Sequence, residues 1–534
     1  MSNLTCMNNY MAMNIEELRE RCVLLEHQNA ELTAEVEWFM EQFKLAKHRQ
    51  FGASSERTDS SEQQLFLFNE AEKESSPGQA EPALEAITYN RRKKKGHREA
   101  MLKELPEEII EYNLPPEEQA CPNCGSPLDE MSTVVRHELK VIPPKVKVVK
   151  HVRRVYSCRR CEREDISTPI VTAKAPEPVI PKSLASPSAV AHIMNSKYVD
   201  GLPLYRQEQQ WSRLGVNLSR QTMANWVIYA SDKWLEPLYH RLHELLLESD
   251  ILQADETELQ VLHEAGRKAQ SKSFMWLYRT GRDGPPIVLF DYKTSRAGKH
   301  PRKFLAGFTG YLQVDGYSGY DILSDVTVVG CWAHARRKFD EALKMLPKDK
   351  RISPNASFGG LSFCNKLFAI ERDLCNVSPE ERYQARLKRS RLVLDEFLDW
   401  LQKQSKMVLP QSLLGKAVRY CLNQWGKLER FLLDGKLEID NNRSERSIKP
   451  FVIGRKGWLF CNTPKGARAS AVVYSIVETA KENGLIPFDY LSYLFEQLPN
   501  RSKDNLDELL PWSPSLPDHC RMTKNTASQA HSNQ

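Results

Sequence analysis

The chain has no apolar run approaching the roughly 18 residues a membrane helix needs, and no apolar segment follows Met1 as a secretion signal requires. These absences predict a cytoplasmic protein that neither spans nor anchors in a membrane. It also lacks HExxH, which removes a common hydrolytic zinc site. Excess charge is small: 75 Lys+Arg against 69 Asp+Glu leave a formal net charge of +6 over 534 residues. That balance is uneven along the chain. Residues 53–86 are acidic and Ser-rich, whereas 91–98 (RRKKKGHR) and 443–468 are basic, a pattern suited to meeting a polyanion at defined surfaces. Closely spaced cysteines are few as well. Of the 12 cysteines, eight stand singly and four form two CxxC pairs, which points to a reduced compartment and a metal site more than to disulfides.

A chain this long needs several cores, about three or four domains, and its 41% hydrophobic content is ample for them. Residues 13–46 carry heptads, with Ile15, Cys22, Asn29, Val36 and Phe43 on one seam and Leu18, Leu25, Leu32 and Phe39 on the other. This narrow stripe predicts an N-terminal coiled coil over 1–50 and hence a homo-oligomer, Asn29 fixing register at some cost in stability. The alternative is an amphipathic helix packed on the chain's own core. Periodicity then stops, and 51–100 reads as a flexible linker with a basic run (Arg91, Arg92, Lys93, Lys94, Lys95, Arg98). In 101–168, Cys121 and Cys124 are separated by 33 residues from Cys158 and Cys161. Two such knuckles bracketing strand-like segments predict a closed, structural zinc-ribbon-like site, with no open position for catalysis.

Residues 169–240 read as helical. Gly215 ends one helix and Ser219 caps the next, which places Arg220, Gln221, Thr222 and Asn225 on an exposed face beside buried Met223, Trp226 and Val227. A helix–turn–helix face of Arg, Gln and Asn can read base edges; an ordinary helical hairpin has the same pattern.

From 241 to 350 the pattern turns to strands: DILQADETELQVLH, SFMWLYRTG and PPIVLFDYKT, then a helix at HPRKFLAGF, then GYLQVDGY. TVVGCWAH reads as a further strand running into the helix ARRKFDEALKM. Three hairpin-like strands, a helix and a fourth strand are the order of a ribonuclease-H-like core. There, Asp255 on the first strand and Asp315 at the end of the fourth lie side by side, able to bridge two Mg²⁺ (or Mn²⁺) ions about 3.5–4 Å apart. A third acid, Glu445, opens a helix among Arg443, Arg446, Lys449, Arg455, Lys456, Lys465 and Arg468, with 129 residues between it and Asp315. Asn442 and Glu445 also form a sound helix-cap pair, and Glu438 and Asp440 compete for the metal role. Between them, 351–435 shows only helical periodicity and reads as an all-helical insertion; 436–500 completes the core, and 501–534 reads as a polar tail. His334, Arg336, Arg337 and Lys338 follow the fifth strand, placed to meet phosphate or, for His334, to help move a proton; a solvated basic face accounts for them equally well. Trp332 suits base stacking or, more simply, the core.

The segments LQADETELQV, YLQVDGYSGY, GCWAHARRKF, IDNNRSERSIKPFVIGRKGWLF and YSIVETAKENGLIPFDYL, with FKLAKHRQFGASSER and the twin CxxC module before them, resemble the insertion-sequence-66 family of transposases. The resemblance covers roughly 15–498. It implies a multidomain α/β DDE transposase with Asp255, Asp315 and Glu445 as ligands of two Mg²⁺ or Mn²⁺ ions. It implies double-stranded DNA (element ends and target) as partner, companion proteins from the same element, and work at the nucleoid. Two rivals remain: a nuclease that uses the same acids without joining ends, and a non-enzymatic zinc- and coiled-coil-bearing DNA-binding regulator.

Overall fold

The computed structural model describes residues 145–157, 170–346, 355–501 and 505–522. The heptads, the linker with its basic run, and Cys121, Cys124, Cys158 and Cys161 lie outside the described residues. The first described elements are two short strands, β1 (Val155–Ser157) and β2 (Ile170–Thr172), paired antiparallel.

Four helical segments follow: α1 (Pro187–Tyr198), α2 (Leu204–Arg213), α3 (Arg220–Ala230) and α4 (Glu236–Leu247). Their limits have local causes. The Ser186 and Ser219 side chains accept hydrogen bonds from the first turns of α1 and α3, and Gly215, at φ +83°, turns the chain after α2. Met194, Met223, Leu238 and Leu242 are fully buried beneath these helices.

The sheet has five strands: β3 (Ile251–Gln260), β4 (Lys272–Thr280), β5 (Val288–Lys293), β6 (Tyr311–Gln313) and β7 (Thr327–Val329). Their spatial order is β5-β4-β3-β6-β7. The first three form an antiparallel meander, while β6 and β7 run parallel to β3 and are reached through α5 (Lys299–Phe304). This is the sequence of strands and helix expected from the periodicity. One boundary differs: the strand read across TVVGCWAH ends at Val329, and α6 (Trp332–Met345) already includes His334.

A second, all-helical core lies between α6 and the return to the sheet, in α7 (Ala356–Asp373), α8 (Pro379–Met407) and α9 (Leu413–Leu428). Phe339, Leu367, Phe397, Leu401 and Val418 pack there around Trp332. Trp332 is fully buried and donates to the Leu428 carbonyl at 2.8 Å, so it is a core residue. Two buried arginines of α8 close the insertion. Arg386 donates to the carbonyls of Phe431, Asp434 and Leu437, and Arg382 to that of Gly435.

The chain then forms α10 (Asn442–Trp458), α11 (Pro464–Glu482) and α12 (Pro487–Gln497). Helix α11 covers the edge strand β5. Its Ser475 hydroxyl receives the Phe290 N–H and its Thr479 hydroxyl bonds both the N–H and C=O of Val288, so backbone groups an edge leaves open are satisfied. The stretch expected as a polar tail is in part structural: Leu509, Leu510, Leu516 and Cys520 are buried, and the Ile486 N–H donates to the Cys520 carbonyl at 2.8 Å. Short apolar residues scattered among Pro, Ser and Asp carry no period, and their burial depends on α12. Among the described residues no helix is long and apolar enough to cross a membrane.

Candidate active site

Strand register sets the first two acids. In the parallel β3–β6 pair, Gln253 lies opposite Gln313, and their side chains touch at 3.4 Å. Two residues on, the same face carries Asp255 and, just past the end of β6, Asp315. Both are half-buried. Each has one oxygen tied locally: the Glu256 N–H donates to Asp255 Oδ1 at 2.8 Å, and the Tyr317 N–H to Asp315 Oδ1 at 2.9 Å. Burial, followed by the charges of Glu256, Asp315 and Glu445, holds the Asp255 carboxyl well above the usual carboxylate range.

The segment before α10 brings in the third acid. Gln313 donates to the Glu438 carbonyl at 2.6 Å, and Gln253 to the Glu438 carboxylate, also at 2.6 Å. Asn441 donates its side-chain amide to the Ala254 carbonyl at 2.9 Å and its N–H to Cys331 Sγ at 3.2 Å. The start of α10 is thereby fastened to the residue preceding Asp255. From the other side, Arg279 of β4, fully buried, donates to Ser447 and to the Glu482 carboxylate.

The helix-cap reading of Glu445 does not hold. The N-cap is Asn441, with its side chain turned to Ala254, and Asn442 bonds Asp440 at 2.8 Å. Glu445 instead faces α6, with Arg337 Nη2 at 3.4 Å and His334 Nδ1 at 3.8 Å. Its Oε1, like His334 Nδ1, is buried without a hydrogen-bond partner. An unpartnered carboxylate oxygen out of water is costly and signals a missing cation or donor. The competing acids have protein partners: Glu438 receives Gln253 and Arg443, and Asp440 receives Asn442 twice. Cys331 also lies near His334 and Glu445, the three offering ligand atoms within 4.8 Å of one another, and burial pushes its thiol up to about 12.

The cations divide. Arg337 turns to Glu445, whereas Arg336 bonds Asn365 of α7 at 2.8 Å, on another side of α6. Burial lowers the His334 pKa despite the nearby Glu445 and Asp315 charges. Arg443 pairs with Glu438, Arg455 donates to Thr257 on β3, and Arg446 and Lys456 are exposed. On α3, Arg220, Gln221 and Asn225 are exposed and Met223, Trp226 and Val227 buried, the arrangement expected of them. Sequence reading missed Glu256, on the opposite face of β3 from Asp255. It is buried, receives Arg296 and the Tyr320 hydroxyl (2.6 Å), and is held above its ordinary pKa chiefly by burial and the Asp315 charge. A DE pair on a strand contains that signal, since neighbours on a strand point to opposite faces.

A sheet bearing two neighbouring aspartates, with a glutamate from a docked helix and cations around it, forms an acidic cluster among basic groups. Comparison with known proteins identifies the family. The model described as "Transposase IS66 family" matches residues 182–469, and "IS66 C-terminal element" matches 475–512. Residues 118–162, holding both CxxC pairs, match "zinc-finger binding domain of transposase IS66", and 38–110 match "Transposase C of IS166 homeodomain". Similar proteins come from Sinorhizobium fredii: uncharacterized protein y4jD (32% identical, covering 77% of this chain and 81% of the relative) and uncharacterized protein y4qI (32%, covering 88% and 87%). The chain belongs to the insertion-sequence-66 family of transposases.

Proposed function

We propose that the protein is a DDE transposase that cuts DNA at the ends of its own mobile element and joins the freed ends to target DNA. The observation that carries this is the unpartnered Glu445 Oε1, brought by tertiary contacts to two aspartates that repel one another. The donor set fits hard divalent cations, being all oxygen from carboxylates. Asp255, Asp315 and Glu445 would hold two Mg²⁺ or Mn²⁺ ions, which when bound supply Lewis-acid stabilisation to the attacking and departing oxygens. The strand order supports a ribonuclease-H-like core, with 351–435 inserted before the third acid.

In the first reaction a water oxygen bonds to phosphorus at the element end and the 3′ oxygen leaves as a hydroxyl. In the second, that 3′ oxygen attacks a target phosphate and the target's own 3′ oxygen leaves; one ester replaces another, with no covalent enzyme intermediate. Arg337, fixed beside Glu445, is placed to hold a phosphate oxygen, and His334 to take or return a proton. Arg220, Gln221 and Asn225 present a base-reading face, and Arg443, Arg446, Arg455 and Lys456 line a phosphate path. The four-cysteine module binds structural Zn²⁺, the heptads assemble copies of the chain, and companion proteins of the element complete the machinery.

The test is an in vitro reaction of purified protein, Mg²⁺ and labelled element ends with a supercoiled target. Joined products are expected. Cleavage without joined products supports a nuclease instead, and neither product with tight DNA binding supports a regulator.

A further inference from the structure

Leu459, the residue after α10, has φ +63° and ψ −50°, and the Phe460 N–H donates to the Trp458 carbonyl at 2.8 Å. That is a classic γ-turn, rare and strained, centred on a residue with a branched side chain instead of glycine. The backbone on both sides is pinned. The Leu459 N–H reaches the Arg455 carbonyl at 2.6 Å, and the Cys461 N–H reaches the Gln260 carbonyl, at the end of β3, at 2.9 Å. What the strained turn presents is apolar and outward: Leu459 is 65% exposed and Phe460 43%.

These two side chains continue a stripe on α10. Glu445, Arg446, Lys449, Ile453 and Lys456 recur at helical spacing on one face; Arg446, Lys449 and Lys456 are exposed and Ile453 is 58% exposed. The stripe begins at the candidate metal ligand, passes three cations and ends in an apolar tip. Fourteen residues of helix span about 21 Å, roughly six base steps of about 3.4 Å. An apolar protein partner would be poorly matched to so cationic an approach, whereas duplex DNA matches both parts: phosphates meet the cations and a base step meets the tip.

We propose that Leu459 and Phe460 form a wedge that enters duplex DNA and unstacks a base step about six base pairs from the phosphate that Arg337 would hold beside Glu445. The strain fixes the wedge in advance, so no ordering of a loop accompanies binding. This rests on the reading of the acids as the cutting site only for the position of the wedged step; insertion itself needs no cutting.

The experiment uses the whole chain without added Mg²⁺ or Mn²⁺, so that no cutting occurs while bound zinc stays in place, with duplexes of its element's terminal sequence. Each carries 2-aminopurine at one successive position, and binding is followed by anisotropy. Wild type is expected to raise 2-aminopurine emission several-fold at a single step about six base pairs inward. Leu459→Ala/Phe460→Ala loses that rise while still binding, and Leu459→Ala alone loses part of it. Emission unchanged at every position, a rise that survives the double substitution, or absence of DNA binding overturns the proposal. So does a double variant that changes the sedimenting mass of the free protein and leaves the emission intact, because the tip would then contact another copy. Mg²⁺-dependent cutting is assayed separately: normal cutting without unstacking removes the wedge and spares the active site, and unstacking without cutting does the reverse.

Discussion

At the scale of single residues, the site is governed by three like charges that folding forces together. Asp255 feels burial first and then its neighbours, which raises its pKa. The folded protein therefore keeps that proton to higher pH than the unfolded chain. Without divalent cations, this lowers stability as pH rises from the unfolded-state value toward the folded one. Asp255→Asn removes that cost. In EDTA at neutral pH the variant is expected to melt above wild type, and the gap should narrow as the pH falls toward the acid range. Saturating Mg²⁺ should reverse the order, because only wild type gains from the ions. A variant that melts below wild type in EDTA at neutral pH contradicts this account of Asp255.

At the scale of elements, placement depends on buried polar ties. Arg386, 1% exposed, is paired with Glu371 at 2.7 Å and holds three carbonyls of the segment that returns the chain to the sheet. Arg386→Met keeps much of the bulk but leaves those carbonyls and Glu371 unpaired. A loss of about 3–5 kcal/mol is expected in chemical denaturation, and a loss within experimental error of zero contradicts the clamp. These ties also explain what the sequence could and could not reveal. Asp255 and Asp315 were legible because each sits in or beside an apolar strand whose order along the chain suggested the pairing. The exposed face of α3 was legible from Ser219, Gly215 and a simple helical period. Glu445 was singled out only through its basic surroundings and the family resemblance, since its local pattern fits a helix cap equally well; Asn441, turned to Ala254, removes the cap. The glutamine pair 253/313 and the Glu256–Arg296 contact join residues far apart in sequence, and no local period records them. The start of α6 was misplaced because CWAH is as apolar as the strand before it.

At the scale of the molecule, the described residues place a sheet between covering helices and a separate helical core, with the three acids where the sheet, α6 and α10 meet. Outside them, the cysteine module makes its own prediction. Purified protein should carry about one Zn²⁺ per chain in a four-thiolate site, and Cys121→Ser should lose it in elemental analysis; a full zinc content in that variant removes Cys121 from the site. The coiled-coil reading is checked in the same preparations: replacing Leu25 and Leu32 by Asp should lower the sedimenting mass, and an unchanged mass contradicts it. The central claim is that Asp255, Asp315 and Glu445 hold metal together, and it can be read without any DNA. Fe²⁺ replaces Mg²⁺ in the purified protein, and ascorbate with peroxide then generates radicals that cut the backbone beside the bound ion. The account predicts cuts near residues 255, 315 and 445 at once, all suppressed by excess Mg²⁺ and all lost in Asp255→Asn. Cuts near the two aspartates with none near Glu445 would contradict it.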